Sequence, residues 1–357
     1  MTRFQLFTFL LQSQIGIGIL AFPYDLHKAA GADGWISVLL AGAAIQLLLV
    51  IYVRLMNRYP QMSLYELAPK LLGRWAGGGL NLLFLIHFIL AACVILLLEM
   101  VLIQNWIFPF YNPWLMLVAN LILLSYFAKE RIQIIVRYHT LVSFFILVML
   151  GLMFFGLNHL DIRYLLPIGR EGWQEWLLGM RSSILTFLGF ELFLIVSSEV
   201  KRTEGKGLMA PVMWANGCAT LFYLIILLIC FMHFSPESID KIPQPVPYYL
   251  NGITMPIIER FDLLFLSFWL VKVTATLIGY VYAAGMGLKI LFKSRESKWP
   301  TLILSLMICV AGAWWNSGEM VSMLISLLEN VSFFVIAAPI LLFIVALMKH
   351  RRKEHRA

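Results

Sequence analysis

Four ionisable side chains lie inside long apolar stretches of this chain: Glu99, Glu191, Lys272 and Glu329. A lone charge in hydrocarbon costs roughly 2.5–3.5 kcal/mol even on a lenient insertion scale, so each needs a partner, water or a neutral state. Lys272 sits near the middle of its stretch. It is expected to pair with a carboxylate, face a wet cavity or be neutral, and Glu191 is the first carboxylate to name as its partner. Thr276 follows one helical turn later on the same face, so ammonium and hydroxyl would address one cavity. Glu99 and Glu329 fall nearer the outer ends of their stretches and read either as interfacial or as functional. His87 reads as a hydrogen-bonded packing residue rather than a proton relay.

Two glycine-bearing interruptions accompany these charges. The first, Gln12-Ser13-Gln14-Ile15-Gly16-Ile17-Gly18, couples polar side chains to glycines and is followed by Pro23. Either the helix opens there and presents backbone amides to a cavity, or the glycines form a packing face for a neighbouring helix. The second, Thr186-Phe187-Leu188-Gly189-Phe190-Glu191, places a glycine beside a carboxylate.

The elements that position these groups are membrane spans. With 61% hydrophobic and 13% charged residues and a mean hydropathy of +0.86, the chain needs lipid as its solvent. Ten apolar runs, most of a length to cross about 30 Å of hydrocarbon as a helix, are predicted at 4–24, 35–56, 79–106, 114–127, 138–157, 178–198, 208–234, 261–291, 299–315 and 325–348, the fourth being the shortest. Trp35, Trp106, Trp114, Trp299, Trp314 and Trp315 fall at run ends, as interfacial anchors do. Most of the 27 Lys and Arg fall in alternate connections, among them Arg54, Arg58, Lys129, Arg131, Arg202, Lys206, Arg295 and Arg356. Positive residues mark the cytoplasmic side, so both termini are expected there. The first run has no A-x-A cleavage pattern and is read as a retained span.

Ten spans divide into five and five, and an odd number per half inverts the second half relative to the first. The expected fold is therefore a single all-α membrane domain over 1–357, with inverted repeats at about 4–157 and 178–348 and a basic tail at 349–357. Its first and sixth spans carry the interruptions, and breaks at matching positions of inverted repeats point to a binding site at mid-membrane. The connection 57–78 holds a possible amphipathic helix at 63–72. The connection 235–260, with Pro236, Pro243, Pro245, Pro247 and Pro256, reads as an extended solvated loop, with a lid or docking surface as the alternative.

Several chemistries find no support. No GxSxG elbow, P-loop, HExxH or complete GxGxxG is present, so neither an enzyme nor a cofactor is expected. Cys93, Cys218, Cys230 and Cys309 lie in apolar runs with no CxxC pair, which argues against both disulfides and metal. The formal charge of +8 resides in short connections and does not point to nucleic acid.

The chain resembles the B subunit of spore germinant receptors, a branch of the amino acid, polyamine and organocation transporter superfamily. The residues carrying the resemblance are Gly16-Ile17-Gly18-Ile19-Leu20 with Pro23, Tyr59-Pro60 followed by Leu72-Gly73 and Gly77, and above all Glu259-Arg260-Phe261-Asp262 with Trp269. The resemblance implies an amino acid permease-like bundle in the spore inner membrane. A small nutrient, such as an amino acid, would bind where broken spans one and six meet spans three and eight, and a larger membrane A subunit and a C lipoprotein would complete the receptor. Gly16, Ile17 and Gly18 would offer amides to a substrate carboxylate. Leu188, Gly189 and Glu191 would form the opposing break, and Lys272 and Thr276 the span-eight wall. A proton-coupled amino acid permease is the alternative function.

Overall fold

A computed structural model describes residues 1–110, 112–201, 207–253, 259–293, 298–314 and 318–354. Arg202, Lys206, Pro256, Arg295, Trp315 and Arg356, named above, lie outside them. The described residues are helical with short connections: α1 (Arg3–Gln14), α2 (Phe22–Ala30), α3 (Gly34–Arg58), α4 (Leu64–Leu72), α5 (Arg74–Trp106), α6 (Pro113–Ala128), α7 (Ile132–Val142), α8 (Phe144–Met153), α9 (Trp173–Thr186), α10 (Phe193–Val196), α11 (Met209–His233), α12 (Pro236–Ile239), α13 (Pro245–Asn251), α14 (Phe261–Leu291), α15 (Trp299–Trp314) and α16 (Gly318–Glu354).

By length and composition, six helical segments suffice to cross a membrane: Phe22–Arg58, Arg74–Trp106, Ile132–Asn158, Met209–His233, Phe261–Leu291 and Met320–Lys349. A seventh is the pair Trp173–Thr186 and Phe190–Glu199, bent by 51°. The other expected spans correspond to α1 with its interruption and to two shorter apolar helices, Trp114–Ala128 and Trp299–Val310. Long α5 and α14 lie side by side, while α11 lies against both α1 and α3. Together they bury a core that includes Trp269, Tyr52 and Phe190.

The expected helix at 63–72 is α4, and its ends show why it forms. Ser63 and Glu66 make a reciprocal capping box, with Glu66 Oε2 accepting from the Ser63 amide at 3.1 Å. Gly73, at φ +85°, closes the other end by donating to Pro69 O. Pro69 lies inside α4 and has no N–H for Tyr65 O, so Asn81 of α5 supplies the donor at 2.7 Å. That approach needs Gly77, because a Cβ there would meet Pro69 backbone atoms.

The extended loop expected at 235–260 is corrected for its described part. It contains α12 and α13, and Val246, Tyr249 and Leu250 of α13 are fully buried. Its prolines start helices rather than preventing them: Pro236 and Pro245 occupy first-turn positions, where the missing N–H has no intrahelical role. Tyr249 then fixes α13 to the bundle by donating to Met153 O at 2.8 Å.

Gly77→Val should force α4 away from α5 and lower the thermal unfolding midpoint in detergent by about 5 °C or more, read by scanning fluorimetry. An unchanged midpoint would show that the approach at Pro69 carries no packing constraint.

Candidate functional site

The break in the first span falls at Ile15 and Gly16, between α1 and the short 3₁₀ turn Ile17–Leu20. Ending a helix inside a core leaves its last carbonyls without intrahelical donors, and each must find another. Leu11 O keeps a backbone partner, the Ile15 amide at 3.2 Å. Gln12 O accepts from Lys272 Nζ at 3.2 Å and from Thr276 Oγ1 at 3.3 Å. Gln14 O accepts from the Tyr223 hydroxyl at 3.1 Å.

This geometry corrects the expected Lys272–Glu191 pair. Lys272 is fully buried, and its ammonium lies at the C-terminal end of α1, where the free carbonyls and the negative end of the helix dipole favour a cation. The contact is reciprocal, since Gln12 Nε2 donates to Lys272 O at 2.9 Å. Lys272 and Thr276 do share a target, the carbonyl of Gln12.

The second break follows α9. Gly189 has φ +123°, a conformation that disfavours any side chain, and a Cβ there would also meet Ser13 O. Glycine is therefore required twice, by backbone conformation and by the closeness of the first break. Glu191 folds back so that Oε2 accepts from the Gly189 amide at 2.8 Å. Its Oε1 lies 2.9 Å from the Tyr280 hydroxyl, a donor, and 3.2 Å from His87 Nε2. His87 Nδ1 lies 3.3 Å from Ser332 Oγ. One fully buried carboxylate thus connects the break to α5, α14 and α16. His87 bonds through both ring nitrogens, as a packed histidine does.

Tyr223 of α11 joins the two breaks. Its hydroxyl accepts from the Gly16 amide at 3.1 Å and faces two carbonyls as donor, Gln14 O at 3.1 Å and Thr186 O at 3.2 Å. Sequence reasoning missed Tyr223, Tyr280 and Asp25. A tyrosine amid Phe, Leu and Ile carries no signal of its partners, although two mid-run tyrosines in a lipid-facing chain already require them.

A cavity of about 550 Å³ lies against both breaks. Gly16, Ile17 and Gly18 line it from the first break, Thr186 and Leu188 from the second, and Thr276 and Tyr280 from α14. Apolar residues of α5, including Val94, Ile95 and Leu98, make another wall, and Asp25 and Glu329 also line it. Gly189, Glu191 and Lys272 are not on its wall; Glu191 reaches it through Tyr280. Glu329 is thus part of the cavity wall. Glu99 is fully buried, 3.4 Å from Thr274 Oγ1.

The fold has solved counterparts. A nucleobase-cation-symport-1 family transporter in a closed conformation superposes with a TM-score of 0.65 at 12% identity, over 95% of this chain and 77% of that one. A Na+-coupled sialic acid symporter gives a TM-score of 0.63 at 12% identity, over 94% and 79%. The fold is therefore that of an integral membrane protein of transporter-like architecture.

Within that class, the chain belongs to the spore germination protein family, whose profile matches residues 1–319. Spore germination protein GerQB of Bacillus cereus is 24% identical, the match covering 93% of this chain and 91% of that protein. Spore germination protein YndE of Bacillus subtilis (strain 168) is 22% identical over 97% and 96%. Spore germination protein A2 of the same organism is 23% identical over 98% and 96%.

Tyr223→Phe removes one hydroxyl and leaves the Gly16 amide and two carbonyls short of a partner. It should destabilise the fold by roughly 1–3 kcal/mol, read as a lowered unfolding midpoint in detergent. An unaltered midpoint would mean that the two breaks are satisfied independently.

Proposed function

We propose that this chain is the nutrient-sensing B subunit of a spore germinant receptor, binding a small nutrient such as an amino acid at mid-membrane and triggering germination with a membrane A subunit and a C lipoprotein. The observation that carries the reading is the cavity between the two breaks, in a chain of the spore germination protein family. In this reading Gly16, Ile17 and Gly18 present backbone to the nutrient, Leu188 and Thr276 shape its pocket, and Gly189, Glu191 and Lys272 support the breaks from behind. The protein is one membrane domain in the spore inner membrane, with ten spans in two inverted repeats and both termini cytoplasmic. The interrupted first and sixth spans and the two shorter apolar helices, added to the six long ones, support that reading.

A receptor needs a ligand-dependent shift of population, whereas a transporter needs full alternation and a coupling site. The observation that favours the second reading, a proton-coupled amino acid permease, is the buried His87–Glu191 contact, one hydroxyl away from the cavity. Proteoliposomes holding this chain alone should show negligible uptake of labelled amino acids, while spores lacking it lose their response to one nutrient set. Robust concentrative uptake would replace the receptor reading with the permease.

Gly16 offers a clean substitution. Its backbone is extended, and a Cβ there meets nothing within 4 Å, so a larger side chain intrudes on the cavity without disturbing the break. Gly16→Val should abolish the nutrient response of spores while membrane insertion, followed by immunoblot, stays intact. An unshifted dose curve would show that the cavity is not the sensing site.

A further inference from the structure

The charge of the cavity wall has the opposite sign to the one a lysine in the pocket would give. Lys272 is turned to Gln12 O, and among the described lining residues none is Lys, Arg or His. Two are carboxylic acids: Asp25 of α2, just past the first break, and Glu329 of α16. Neither forms an ion pair among the described residues. Lys28, one turn beyond Asp25 and exposed as Asp25 is, holds its ammonium 4.3 Å from the centre of the Tyr24 ring. Both carboxylates line the same cavity. The nearby wall is aliphatic, with Ile95, Leu98, Leu185 and Leu188.

Two like charges on the wall of one cavity repel, and neither is neutralised by an ion pair among the described residues. A cation between them would turn that repulsion into attraction and draw α2 toward α16. We propose that the cavity reads the ammonium group of its ligand between Asp25 and Glu329, so that a small amine with an apolar body binds without needing a carboxylate. This rests on the cavity being the ligand site of the receptor reading. It makes Asp25 and Glu329 the residues that determine specificity, and it excludes anionic nutrients.

The test uses the purified full chain in lipid nanodiscs and two matched sets of probes: isopentylamine, leucine and 4-methylpentanoate, and ethylamine, alanine and propionate. Binding is followed by intrinsic tryptophan fluorescence. At least one amine should bind within about tenfold of its amino acid, while its matched acid does not. Asp25→Asn and Glu329→Gln should each weaken amine binding by about tenfold or more. Glu237→Gln, on the exposed face of α12, should leave it unchanged. The proposal is overturned if no amine binds, if an acid binds as tightly as its matched amine, or if neither substitution alters the amine Kd. Should either variant fail to fold, the preference for amine over acid in the unaltered chain decides alone. Absence of amine binding, with the nutrient response lost in spores lacking the chain, overturns the ammonium assignment and leaves the receptor reading standing. Amine binding with an unaltered spore response does the reverse.

Discussion

A helix that stops inside an apolar bundle leaves peptide groups that neither lipid nor packed hydrocarbon can satisfy, and this constraint organises the centre of the molecule. The chain answers it locally with side-chain donors: Lys272 and Thr276 together at Gln12, and the one Tyr223 hydroxyl shared between Gln14 and Thr186. Such donors come from α14 and α11, so the breaks dictate which side chains those helices turn inward. The cavity lies beside the breaks because bare backbone occupies less room than side chains do. Gly16 and Gly18 contribute no wall of their own beyond the main chain.

The same constraint separates two kinds of polar residue that composition alone does not distinguish. Lys272, Glu191, His87 and Tyr223 are engaged with backbone or with one another and have little left to offer a ligand. Asp25 and Glu329 face open space with no ion-pair partner among the described residues, and their carboxylates remain available for recognition. A charge within a span is therefore not one category. Its meaning depends on whether a helix end or a neighbouring side chain has already claimed it.

Much of this was legible in the residues. The interruptions at Gly16 and Gly189, the short helix capped by Ser63 and Glu66, and the shared face of Lys272 and Thr276 all follow from local rules of helix geometry and backbone satisfaction. The partners were less legible, because they depend on which helices become neighbours. Lys272 had a carboxylate within the same polar centre, yet it lies at a carbonyl, since a helix terminus brings both a free acceptor and a favourable dipole. Asp25 escaped notice because it stands near the end of an apolar run, where an acidic residue usually means nothing more than the start of water. The prolines at 236 and 245 suggested an extended solvated loop and proved to be helix starts, a distinction that rests on position within the turn rather than on residue type.

The Tyr223 hydroxyl carries a single proton but stands before two carbonyls, one from each interrupted span. It cannot serve both at full strength, and the two carbonyls lie at nearly equal distances from it, 3.1 and 3.2 Å. Exchanging them requires only a rotation about the phenolic C–O bond, with the ring itself at rest between Phe187 and Phe22. The junction of the two breaks thus hangs on one proton shared between both interrupted spans.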